Sequence, residues 1–127
     1  MRFSFRLDIA LSGLAAPADH HAERGPSAYE VRAARLWSAA PRIDLGDRGF
    51  IAGALFRREV PATRVTDLDA GERQQILDPG GRALLTNYWG GYVALLIGED
   101  GTPSVLRDPS GMMPCYMRRD GAYIALA

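Results

Sequence analysis

Tyr88-Trp89-Gly90-Gly91-Tyr92-Val93-Ala94-Leu95-Leu96, followed by Val105-Leu106-Arg107-Asp108-Pro109-Ser110-Gly111-Met112-Met113-Pro114-Cys115-Tyr116, is the stretch on which the fold turns. Tyr92 to Ile97 is apolar and rich in strand formers, and Gly98-Glu99-Asp100-Gly101 after it has the composition of a hairpin turn. Ser104 to Arg107 then reads as the returning strand, and Asp108-Pro109-Ser110-Gly111 as a second turn. In that turn Asp108 is expected to bond backbone amides and Gly111 to supply a positive φ. Pro114 to Met117, a turn at Arg119-Asp120-Gly121, and Ala122 to Leu126 read as a further hairpin.

Working outward, Gly49 to Arg57 is a buried-strand pattern in which Gly53 marks a bulge or a close backbone approach. Asp67 or Asp69 can cap a helix over 70–78, with Glu72 early in it and Gly80-Gly81 at its end. Arg82 to Tyr88 suits a second short helical turn. At the other end, Phe3, Phe5, Leu7, Ile9 and Leu11 alternate with Ser4, Arg6, Asp8 and Ala10. Period two of that length predicts a strand with one buried face. Residues 12–27 read as a loop or one poor helical turn, and 28–37 as either helix or strand. The turn formers Gly25-Pro26 and Pro41 favour strand. The expected class is α+β, with strands early and late and a helix between.

Composition narrows the chemistry. All 15 basic side chains are arginine, so Schiff-base lysines, Walker-type phosphate-loop lysines and lysine bases are excluded. The formal net charge is zero, which argues against a nucleic-acid binder. Its 127 residues suit one domain spanning 1–127. A single cysteine, Cys115, leaves no intrachain disulfide and no multi-cysteine metal site, and reads as a small buried residue. The charged N-terminus does not resemble a signal peptide, and no apolar run approaches the roughly 18 residues of a membrane span. A cytoplasmic location is expected. Tyr123 to Ala127 ends on a strand pattern with no polar turn or tail after it, which predicts a fragment truncated at its C-terminus.

The Trp-Gly-Gly-Tyr-Val-Ala and Arg-Asp-Pro-Ser-Gly spellings over residues 49–127 resemble the N-terminal, glutamine-amidotransferase-like domain of asparagine synthetase-related proteins. The branch they resemble includes lasso-peptide macrolactam synthetases. The resemblance implies the two-sheet antiparallel sandwich of N-terminal-nucleophile hydrolases, with few helices. Arg24-Gly25-Pro26 is similar to that family's Arg-Gly-Pro turn, and Gly53 to its glycine beside the glutamine site. Arg42 is a counterpart of its substrate-carboxylate arginine, and Arg107-Asp108 of the Arg-Asp that closes its strand. Active members use a cysteine at the mature N-terminus whose own amine serves as base. Here Arg2 stands in that place, Ala52 replaces the family's asparagine, and the span from Arg42 to Ala52 is too short for the glutamine loop.

The resemblance therefore implies no catalytic residue and no cofactor in this chain, with ATP and Mg²⁺ held by a C-terminal synthetase domain. It implies that domain as partner, and a precursor peptide or its leader peptidase as further partners. Arg42, Ala52, Gly53, Arg107 and Asp108 are left as a remnant of the glutamine site or a peptide-binding patch. Two alternatives stay open: an active glutaminase with an altered N-terminus, and a stand-alone peptide-binding module.

Other candidates have plainer readings. Asp19, His20, His21 and Glu23 suit a solvated loop better than a metal site. Ser110 has no histidine near it in sequence. Trp89, Tyr92 and Tyr116 read as packing residues, and Arg57-Arg58 and Arg118-Arg119 as solvated strand ends or a dock for an acidic partner.

Overall fold

The structure, a computed structural model, describes residues 5–10, 29–32, 34–38, 40–77, 81–110, 117–120 and 123–126. Its elements in chain order are β1 (Phe5–Ala10), β2 (Tyr29–Val31), β3 (Ala34–Ser38), β4 (Arg42–Asp44), β5 (Gly49–Arg57) and β6 (Thr63–Arg64). After these come α1 (Ala70–Leu77), α2 (Arg82–Asn87), β7 (Tyr88–Ile97), β8 (Pro103–Arg107), β9 (Met117–Asp120) and β10 (Tyr123–Leu126). The class is α+β, with two antiparallel sheets and two short helices. The chain forms two compact units, one of Met1–Ala39 with Pro114–Ala127 and the other of Ala40–Met113.

The first unit is a sheet in the order β2-β3-β1-β10-β9. The described part of the 28–37 segment is strand, divided into β2 and β3 by a turn in which Arg32 takes φ 49°. Neither glycine nor asparagine stands there, so the usual sign of a two-residue hairpin is missing. The alternation in β1 holds: Leu7 and Ile9 are buried on one face and Arg6 is half-buried on the other. Asp8 departs from it. Although on the polar face, it is fully buried, with its carboxylate against the Arg6 guanidinium at 3.1 Å. Arg6 in turn lies over the Trp37 ring, its register partner, at 5.9 Å. Periodicity assigns a residue to a face but does not say whether that face is covered.

The second unit is a sheet in the order β4-β5-β7-β8, with β6 also paired to β5. Ile51, Leu55, Tyr92, Ala94 and Leu96 on one face pack with Ile76 of α1 and Leu84 of α2. Gly53 makes the expected close approach, since a Cβ there would lie 2.2 Å from the Gly91 carbonyl oxygen. Its φ of 127° also disfavours any side chain. β7 is longer than the apolar run at its end, because Tyr88-Trp89-Gly90-Gly91 pair with Ala54 to Arg57.

Asp69, not Asp67, caps α1. Its Oδ1 accepts from the Glu72 amide at 2.8 Å, and Glu72 Oε1 accepts from the Asp69 amide at 3.4 Å. Gly81, with φ 90°, directly precedes α2 as its N-cap. Arg119 and Asp120 likewise lie within β9 and not in a turn. Residues 11–28, 78–80 and 111–116, on which the expected loop, the expected helix end and Gly111 of the expected second turn fall, lie outside the described residues.

Candidate functional site

The five residues singled out by the resemblance meet in two adjacent rows of the second unit's sheet. Arg42 pairs with Ala52, Ala52 with Val93, and Val93 with Arg107, so the four occupy one row across β4, β5, β7 and β8. Register partners share a face, and the two arginines stand at opposite edges, three strand spacings or roughly 14 Å apart at Cα. Ala52 and Val93 between them are buried, while Arg42 and Arg107 are exposed. Arg42 Nε is 2.7 Å from Asp44 Oδ1. The Arg107 guanidinium has no hydrogen-bond or ion-pair partner among the described residues.

The next row holds Gly53 and Tyr92, and Asp108 extends it beyond β8. The Gly53 amide donates to the Pro41 carbonyl at 2.9 Å, pointing away from β7. Asp108 is buried, and both its oxygens are engaged. Oδ1 accepts from the Tyr92 amide at 3.2 Å, and Oδ2 accepts from the Ser110 hydroxyl. The Asp108 amide donates to the Tyr92 carbonyl at 3.0 Å. Here a side-chain carboxylate takes the place a strand carbonyl would hold opposite Tyr92, and the ladder ends as the chain turns at Pro109. Asp108 thus bonds a backbone amide as expected, and this one belongs to β7.

Tyr92 adds what the residue pattern did not disclose. Its side chain is fully buried and its hydroxyl has no partner among the described residues. Burial, and then the nearby Asp108 carboxylate, push this phenol up to about 12. An aromatic in an apolar run gives no sign of an unpaired hydroxyl.

A second polar cluster holds the helices to the sheet. The Arg57 guanidinium reaches Glu72 at 2.8 Å, and the Tyr88 hydroxyl donates to Glu72 Oε2 at 3.0 Å. Arg57 is therefore a paired anchor and not a solvated strand end; its neighbour Arg58 is exposed. Glu72 is held below the ordinary carboxylate range chiefly by the Arg57 hydrogen bond. Tyr88 is pushed up to about 12, by burial first and by its bond to Glu72 second.

Trp89 stacks on Phe56, its register partner, with ring centroids 4.4 Å apart. It is partly exposed, so it is a surface aromatic as much as a packing residue. Arg118 and Arg119 lie in β9, where only the backbone is described. Arg2, Asp19, His20, His21, Glu23, Arg24 to Pro26, Gly111, Cys115 and Tyr116 fall outside the described residues. Among the described residues no group of three or more His, Cys, Asp or Glu could hold a metal ion. No described helix is long and apolar enough to cross a membrane. Comparison with protein-family models, with curated proteins and with solved structures finds no match to the chain.

Proposed function

We propose that the chain is the amidotransferase-like part of an asparagine synthetase-related amide ligase, of the kind that closes lasso-peptide macrolactams. Its own role is structural, and its sheets belong to the sandwich of N-terminal-nucleophile hydrolases. ATP and Mg²⁺ act in a separate synthetase domain, which adenylates a carboxylate for attack by a peptide amine. The reading rests on the resemblance at Trp89 to Tyr92 and Arg107 to Ser110. The observation that carries the structural role is Asp108. Buried, with one oxygen bonded to the Tyr92 amide and the other to the Ser110 hydroxyl, it serves the end of the ladder.

In the same assignment the Ser110 hydroxyl is a donor to Asp108 at the end of the ladder. With Arg2 where the family has its cysteine, the reading gives the chain no glutamine hydrolysis of its own. Incubation of the pure protein with glutamine is expected to release no glutamate above the no-enzyme rate. A synthetase domain encoded in the same reading frame, expressed separately, is expected to bind the protein in calorimetry. Glutamate release that a single substitution abolishes would overturn the inactive assignment. Absence of any such encoded domain would overturn the parent class.

A further inference from the structure

We infer that one end of the second unit's sheet is a docking surface for an acidic protein segment carrying apolar anchor residues. The three large exposed apolar side chains among the described residues are Val60, Leu85 and Trp89. They belong to three different elements or loops, yet each lies two residues from one backbone hydrogen bond, Arg58 N–H to the Asn87 carbonyl at 3.0 Å. Two residues of chain reach no further than about 7 Å, so the Cα atoms of all three lie close to that bond, with Trp89 on the Phe56 face of the sheet. Trp89 is held by its stack on Phe56, which presents a rigid aromatic ledge at little further entropic cost on binding. Val60 is fully exposed at the tip of the loop between β5 and β6.

Charge selects the partner. Arg58 adjoins the bond itself, Arg64 shares the Phe56–Trp89 row, and Arg82 lies one helical turn before Leu85. All three are exposed, and none has an ion-pair or side-chain hydrogen-bond partner among the described residues. Glu59 is the one exposed acid within the loop from Arg58 to Arg64. The chain as a whole is neutral, so this local excess of arginine is a property of the patch. A second copy would bring like charge against like charge and is disfavoured. Glu59, beside the fully exposed Val60, opposes an anionic bilayer at the point that would enter it. A protein segment with carboxylates spaced between apolar side chains satisfies both features, because its carboxylates can avoid Glu59 while its anchors meet Trp89 and Val60.

The surface is distinct from the Arg42–Arg107 row and does not depend on the parent enzyme's class. Its test is fluorescence anisotropy with labelled twelve-residue peptides of alternating glutamate and leucine, lysine and leucine, and glutamate and serine, beside vesicles of phosphatidylglycerol. The glutamate–leucine peptide is expected to bind saturably. The affinity should fall at least tenfold in an Arg58→Glu, Arg64→Glu double variant, and by a similar factor for the glutamate–serine peptide. Both substitutions are at exposed positions, and an unchanged thermal transition checks that the variant folds. Trp89→Ala is expected to weaken binding without altering its salt dependence. Equal binding of the lysine–leucine peptide, no saturable binding of the glutamate–leucine peptide, or indifference to the charge reversals would overturn the inference. Preferential capture by the vesicles would also overturn it, in favour of a membrane surface.

Discussion

Asp108 shows how one side chain can end a sheet. Its carboxylate replaces a carbonyl opposite Tyr92 while its own amide still completes the ladder. Asp108→Ala strands a buried amide and is expected to cost about 2 kcal/mol in urea denaturation, the usual cost of an unsatisfied buried donor. Asp108→Asn should cost less. The amide oxygen can keep the Tyr92 bond while its NH₂ donates to Ser110, whose hydroxyl rotates to accept. Equal losses in the two variants would contradict this assignment. The Asp108 turn was readable from composition, since Asp, Pro, Ser and Gly in succession have few other uses. That its carboxylate serves another strand was not, because the bond joins residues 16 apart in sequence. Burial of Asp8 was hidden for a related reason: alternation fixes which way a residue points and is silent on what lies there.

At the scale of elements, α1 is held by chemistry written locally and used at long range. Asp69-x-x-Glu72 is a capping box visible in the sequence, and the structure then uses the same Glu72 to hold Arg57 of β5 and Tyr88 of β7. The pH dependence follows from signs. Glu72 titrates below its ordinary value in the folded protein. Its contribution is therefore complete above the unfolded-state value of about 4.3 and is lost as pH falls through the lower folded value. Tyr88 and Tyr92 are raised to about 12, so their contribution is complete below the unfolded value of about 10. It is lost as pH rises through the folded value. Denaturation midpoints measured against pH should fall at both extremes. Glu72→Gln should flatten the acid limb, and Tyr88→Phe should reduce the alkaline one. The β7–β8 hairpin was legible because its turn is local. The row from Arg42 to Arg107 was not, because it needs the register of four strands at once.

At the scale of the whole molecule, the second unit is an insertion in the first: residues 40–113 lie in sequence between β3 and β9. The order of strands in the first sheet could not be read from the chain, since the pairing of Ile9 with Ile124 joins residues from opposite ends of the sequence. Truncation after Met113 removes β9 and β10 and leaves β1, an interior strand, with one bare edge. Amides of residues 5–10 should then lose protection in hydrogen exchange, and light scattering should rise, as expected of an unpaired edge. Retained protection at β1 would show that the β3 side alone sustains the strand.

This pairing also sets an order in time. On a ribosome adding about 5–20 residues per second, β1 emerges ahead of β10 and must wait on the order of ten seconds for it. The whole inserted unit is made in that interval. Until β10 arrives, β1 has only β3 beside it, and its other edge is open to whatever strand comes near. Of the strands in this sheet, β1 is thus made early and closed late, which makes it the segment that a chaperone would have most reason to shield.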